Sequence, residues 1–302
     1  MGYYEREVES CVEGIAGMTA FLYAGLSLLC AAVNDMIFKA YAGRRQALGT
    51  YLAVVGLLWA GFFVMMAGPG RFLAMSGVTL FWGLASGLCS AVANLLLIQA
   101  LSRHEVGVCS TIYRLNLAPA AILAFVFLGE PVSAPKLLGV LAAVGAVLLF
   151  AHRTKGAANH LGLRALWLVV AACLLRAGMG IGYKCGLNQG GEMFPILVLN
   201  GMVWVLCGAL CHWSFERGKR VLTADALGFG AVSGVFVCGI VMFMMLALRS
   251  GDASVVLPLS QMSFVATALA GCLLLGEKLT RRKSAGLAMA VLCVIFMALE
   301  RW

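Results

Sequence analysis

The chain has 302 residues, 62% of them hydrophobic and only 12% charged, and its mean hydropathy is +0.97. A soluble domain carries roughly twice that charged fraction, so the composition excludes an ordinary soluble protein and points to the bilayer. The formal net charge of +9 does not imply nucleic acid, because the basic residues fall mostly in short breaks between apolar blocks, where they orient a membrane protein.

Residues 1–18 read as a short acidic tail, with Glu5, Glu7, Glu9 and Glu13 against Arg6 alone. A secretory signal opens on a basic region instead, so the tail is expected to stay on the protein. Ten apolar blocks follow, near 19–42, 47–67, 76–101, 106–128, 134–151, 163–187, 193–214, 223–248, 253–275 and 282–300. Each is close to the ~20 residues that carry a helix across a ~30 Å hydrocarbon core. Barrel strands would alternate over ~10 residues, and no such pattern occurs. The predicted fold is all-α and integral to the membrane, with ten transmembrane helices and breaks too short to hold a soluble domain. The eleven cysteines include no Cys-x2-Cys spacing, so no disulfide framework and no metal site is expected. Cys207, Cys211 and His212 read as helix packing.

An internal duplication is the strongest pattern. The run STIYRLNLAPAAILAFVFLGE at 110–130 reappears 147 positions on as LPLSQMSFVATALAGCLLLGE at 257–277. Upstream, Leu52, Gly56 and Trp59 match Leu197, Gly201 and Trp204, and Gly83, Ser86 and Gly87 match Gly230, Ser233 and Gly234. Two units result, 19–151 and 152–302, of five spans each. An odd number turns the second unit upside down relative to the first, an inverted repeat. Several matched pairs carry plain structural expectations. Gly83-x3-Gly87 and Gly230-x3-Gly234 let helices approach closely. Ser133 and Thr280 suit helix N-caps. Glu130 and Glu277, near Lys136 and Lys278, suit rim ion pairs or caps, and Gly178, Gly180 and Gly182 suit helix packing or a hinge.

Thirteen basic residues occupy the odd-numbered breaks: Arg44, Arg45, Arg103, Arg153, Lys155, Arg164, Arg217, Lys219, Arg220, Lys278, Arg281, Arg282 and Lys283. Five lie on the other side: Arg6, Arg71, Lys136, Arg249 and Arg301. The positive-inside rule puts the odd breaks in the cytoplasm and both termini outside.

Five ionisable residues fall inside the spans: Asp35, Lys39, Arg114, Arg176 and Lys184. A charge there costs from ~2.5 kcal/mol upward and asks for a partner or a function. Lys39 and Lys184 lie about a turn from their span ends, where long stems reach the interface, and Lys39 can also pair with Asp35 four residues before it. Arg114 and Arg176 lie deeper. Span four aligns Gly107, Ser110, Thr111, Arg114, Ala118 and Ala121 on one small or polar face. Span six aligns Cys173, Arg176, Gly180 and Tyr183, and span three aligns Ser86, Ser90 and Asn94. Span one adds Asn34 and Asp35, and span nine adds Ser254, Pro258 and Gln261. Two readings stay open. These faces wall a water-filled pocket that binds substrate through Asn34, Asp35, Asn94, Tyr113, Arg114, Arg176, Tyr183 and Gln261, or Arg114, Asp35 and Arg176 form a self-paired network that only locks the bundle. An arginine's planar fork suits a carboxylate or phosphate, so a pocket would take a small anion, or a zwitterion whose amino group meets Asp35.

The duplicated five-span unit, the proline-bearing fourth span, the Phe-Leu-Gly-Glu of 127–130 and the Leu-Leu-Gly-Glu of 274–277 resemble the drug/metabolite transporter superfamily, in particular its EamA-type ten-span members. The resemblance implies a secondary transporter of small metabolites, working by alternating access around a central cavity, with no ATP and no bound cofactor. It favours export across the plasma membrane of a polar metabolite such as an amino acid or organic anion. Proton coupling through Asp35, exchange against a counter-substrate and facilitated passage all stay open, and one chain suffices for the bundle. Ala266 stands where Pro119 does in the first copy, with Pro258 two turns earlier, so the copies are expected to bend differently. Relatives that export lipophilic cations use a glutamate in the first span; Asp35 beside arginines argues against that cargo. A non-transporting membrane subunit is the competing reading. No enzyme motif occurs.

Overall fold

The computed structural model describes residues 2–42, 47–101, 112–150, 163–218, 223–274 and 280–299. Among these the chain is all-helical, with no strand: α1 (Gly2–Ala42), α2 (Leu48–Ala67), α3 (Pro69–Leu73), α4 (Gly77–Leu101), α5 (Leu117–Phe127), α6 (Ala134–Phe150), α7 (Leu163–Asn188), α8 (Met193–Phe215), α9 (Ala224–Ser250), α10 (Ala253–Ser260), α11 (Ser263–Leu274) and α12 (Arg281–Ala298). The acidic segment is not a separate tail in conformation, because α1 runs unbroken from Gly2 through the first apolar block. Six helices are long and apolar enough to cross a membrane, within Gly17–Phe38, Leu48–Ala67, Gly77–Leu97, Leu166–Asn188, Met193–Phe215 and Ala224–Ser250. Shorter apolar segments cover Ile112–Phe127, Ala134–Leu149 and Ala253–Thr267. Large apolar side chains such as Leu22, Met65, Phe81, Trp167, Leu206 and Val235 are left exposed on the outside of the bundle. A soluble monomer avoids such a surface; hydrocarbon does not.

The helices pair across the chain rather than along it. α2 lies against α8, α1 against α9, α4 against α7, α6 against α12 and α5 against α10. Each pair joins a helix before residue 151 to one after 162, so the two stretches share one core. Small residues make the tightest seam. A Cβ on Gly56 of α2 would lie 2.8 Å from the Gly201 carbonyl oxygen of α8, and one on Gly201 would lie 2.6 Å from the Ala60 nitrogen. Bare backbone is in contact there, the arrangement that lets dispersion hold helices where no hydrophobic effect can. Trp59 and Trp204 meet on the same seam, with ring centroids 5.5 Å apart. The two expected small-x3-small pairs also work as close contacts: Gly83 and Gly87 abut Leu199 and Asn200 of α8, and Gly230 and Gly234 abut Val54 and Leu58 of α2. Gly180 seats Leu257 of α10, and Gly182 and Gly178 face Ser86 and Cys89 of α4, so this glycine run is helix packing. Ser133 and Thr280 accept from the amides of Lys136 and Lys283, as N-caps do.

Two helical segments are interrupted. Residues 112–114 form one helical turn, the helix breaks at Leu115–Asn116, and α5 resumes at Leu117. The chain breaks again at Gln261–Met262 between α10 and α11. Pro119 has no N–H to give the Leu115 carbonyl, which instead accepts from the Ala118 amide at 3.1 Å. The second break has alanine at 266, yet Met262 accepts from Val265 at 3.0 Å in the same way. Leu115 donates to Ile112 and Met262 to Leu259, both at 3.1 Å. The two segments thus share a break with the same three-residue bonds, 147 positions apart, although only the first has a proline there. Proline is not what fixes the place of the break.

Candidate functional site

The two breaks bring Arg114 and Gln261 to equivalent points, each at the unwinding of its segment. Arg114 donates from Nη2 to Asp35 Oδ2 of α1 at 3.2 Å, with the two side chains 30% and 35% exposed. Ser263, the first residue of α11, donates to the same carboxylate oxygen at 3.0 Å. The Phe264 ring lies 5.4 Å from the Arg114 guanidinium carbon, a cation–π distance. Asp35 is thus engaged by both interrupted segments together. The Lys39 side chain, expected to pair locally with Asp35, lies outside the described residues.

Arg176 behaves differently. It sits mid-helix in α7 and its Nη1 reaches only the Met179 sulfur, at 3.4 Å. Its Nε is buried without a hydrogen-bond partner, and no carboxylate among the described residues pairs with it. Tyr113 lies within electrostatic reach of Arg176, Asp35 and Arg114. Of the expected Arg114–Asp35–Arg176 network, then, one leg is bonded and the other is open. Gln261 makes no side-chain hydrogen bond among the described residues. Of the span-four face, Gly107, Ser110 and Thr111 lie outside them.

Other residues grouped by the sequence turn elsewhere. Tyr183 is fully buried and donates to Asn200 Oδ1 of α8 at 2.9 Å. The Asn200 amide nitrogen is within 3.0 Å of the Gly83 carbonyl, Ser86 Oγ and the Ile196 carbonyl. Ser90 accepts from the Trp204 indole at 2.8 Å. The polar stripe of span three therefore bonds α8 instead of a shared pocket, and Asn94 bonds its own Ser90 carbonyl at 2.9 Å. Asn34 accepts a short hydrogen bond from Ser233 of α9, which in turn accepts from Tyr51 of α2 at 2.6 Å. Sequence reasoning missed Asn200, Ser263 and Phe264. A lone amide in an apolar block was the available signal for Asn200, and the match of Ser263 with Asn116 was the signal for the second.

One end of the bundle is tied by charges. Gly129 takes φ +66°, a left-handed turn that glycine alone adopts readily, and this throws Glu130 across to α10. Its two carboxylate oxygens accept from the Ala253 and Ser254 amides at 2.7 and 2.8 Å. Glu130 is thus a cap on a helix from the other stretch, the second of its two expected roles; Glu277 lies outside the described residues. Lys136 is fully buried and pairs with Asp252 at 2.7 Å. Lys184 extends toward the end of α9. Its ammonium closes the C-terminus of α9, donating to the Leu248 and Gly251 carbonyls at 2.6 and 2.8 Å, where cations suit the helix dipole. The turn at 248–254 is therefore held by three charged side chains from three separate segments. At the same end a cleft of about 470 Å³ is lined by Arg71, Arg249, Glu192 and the start of α8.

An all-helical bundle with an apolar exterior fits a multi-pass membrane protein, and a family match suggests a membrane transporter. Residues 163–299 match the EamA-like transporter family. That stretch, less than half of the chain, is similar to this family, which is part of the drug/metabolite transporter superfamily that the sequence motifs resemble. Among solved structures 28 chains match. One, described as a crystal structure of a protein, superimposes with TM-score 0.74 over 92% of this chain and 96% of its own at 14% identity, a likeness of fold alone. No curated protein matches.

Proposed function

We propose that the protein is a secondary transporter that moves a small polar metabolite across the plasma membrane by alternating access, with Arg114, Asp35 and Arg176 at its centre. Ten spans in two inverted units, both termini outside and export as the working direction complete the reading. The observation that carries it is the meeting of the two interrupted segments at Asp35, through Arg114 beside one break and Ser263 beside the other. Unwound backbone at membrane depth is tolerated where it lines a cavity or a site, and carriers use it to bind solutes. The register shared by the two breaks supports a repeat, and Arg71 and Arg249 in the rim cleft support an anionic or zwitterionic cargo over a cation.

The test starts from thermal stabilisation of purified protein across a metabolite panel, followed by flux of the hits in proteoliposomes. Flux should vanish in Arg114→Ala and Arg176→Ala while both variants still fold. Undiminished flux in both would refute the site. A non-transporting subunit is favoured by the Asp35–Arg114 pair taken alone, but that reading leaves Arg176 without a structural role.

A further inference from the structure

We propose that Arg176 is the anchor for a single negative charge, and that the cargo is a small organic monocarboxylate and not a zwitterion; this rests on the transporter reading above. The starting point is charge parity. Arg114 is offset by Asp35 at 3.2 Å, so among the described side chains this region sums to one positive charge, that of Arg176. Arginine cannot shed the charge by losing a proton, whatever its surroundings. A guanidinium inside the bilayer without a counter-ion is destabilising, and its retention needs a compensating interaction at some stage of the working cycle.

The open edge of the group indicates which anion. Nη1 is directed at Met179, while Nε is sealed from solvent and unbonded. Nε and Nη2 form the side-on edge of the fork, whose two parallel N–H groups match the two oxygens of one carboxylate. An ammonium group on the same cargo would need a carboxylate nearby. Among the described residues Asp35, which like Arg176 is an electrostatic neighbour of Tyr113, is the acid of this region, and its Oδ2 already accepts from both Arg114 and Ser263. A zwitterion would have to displace those bonds; a monoanion displaces none. Because Nε is closed off here, a carboxylate reaches it only as the surrounding helices part. Binding and opening are thereby coupled, since a ligand shifts an equilibrium only by its differential affinity for the two states.

Thermal unfolding of the full-length protein in detergent tests this with acetate, lactate and benzoate against chloride at equal ionic strength, and with glycine and alanine as zwitterions. The native chain should gain a few degrees with at least one carboxylate and nothing with the zwitterions. Arg176→Met should unfold no lower than the native chain in chloride and lose the carboxylate response. Arg176→Lys, which keeps the charge without the fork, should retain a weakened response. Arg114→Met should unfold lower, because it strands Asp35. An Arg176→Met midpoint depressed as far as that of Arg114→Met would assign Arg176 to a structural pair and overturn the proposal. So would zwitterions stabilising through Arg176, or a native chain indifferent to every carboxylate. Carboxylates that stabilise through Arg176 but are not carried in proteoliposomes would leave the assignment standing and remove the transporter reading. Flux of a zwitterion insensitive to Arg176 would do the reverse.

Discussion

Asn200 is a lone amide in an apolar helix, and its bonds show how a polar residue can look functional and be structural. It satisfies the Tyr183 hydroxyl, a carbonyl of α4 and one of its own helix at once. Asn200→Leu would leave the Tyr183 hydroxyl buried without the partner it has here, and such a group costs about 1–3 kcal/mol. The expected result is a lowered unfolding midpoint; a stability equal to native would show that the hydroxyl finds another partner. Tyr183 was grouped with Arg176 on sequence because seven residues place two side chains on one stripe of a helix. A stripe fixes direction about its own axis only. Which neighbour the stripe meets depends on packing that spacing does not encode, so Tyr183 was placed in the pocket although it bonds α8. Arg114 and Asp35 were legible for the opposite reason. Buried charge is rare enough that each one demands a partner, and here they supply each other.

At the scale of elements, the Gly-Glu stop after α5 ties two distant stretches of the chain. Gly129 makes the turn and Glu130 caps α10. Removing a cap costs about 0.5–2 kcal/mol, so Glu130→Ala should loosen α10 by that amount. Hydrogen–deuterium exchange read peptide by peptide should rise at 253–260 and stay unchanged across the α2–α8 seam; unchanged exchange at 253–260 would deny Glu130 that role. The breaks give a second prediction. Since the second one forms with Ala266 in place of a proline, Pro119→Ala should leave residues 115–116 unwound, with exchange there still fast. If exchange becomes as slow as in mid-α5, the proline was holding the break open. The motif was readable in the sequence as a repeated stop, but its partner 123 positions along the chain was not.

For the whole molecule, composition alone established an all-helical membrane protein, because only such a chain carries so little charge over so many apolar blocks. The pairing of α1 with α9 and α4 with α7 was beyond its reach, since every span offers a similar apolar surface. Close approach there is decided by a few glycines. Gly201→Leu, which places a side chain where backbone nitrogen lies 2.6 Å from a mere Cβ, should part α2 from α8 and abolish folding, seen as loss of a monodisperse peak; a folded, monodisperse variant would show the seam to be adjustable. Orientation is open to a reporter fused after Trp302, expected to be active only outside the cytoplasm.

All eight residues of α10 are buried, and the helix touches α1, α5, α6, α7 and α9. It has neither a lipid side nor a water side. A complete substitution scan should therefore show no helical period along 253–260: every position should resist change alike, while in α4 tolerant and intolerant positions alternate with the turn. Divergence in this chain should accordingly accumulate around α10 and spare it, leaving the least variable strip of sequence in a segment too short to cross the bilayer alone.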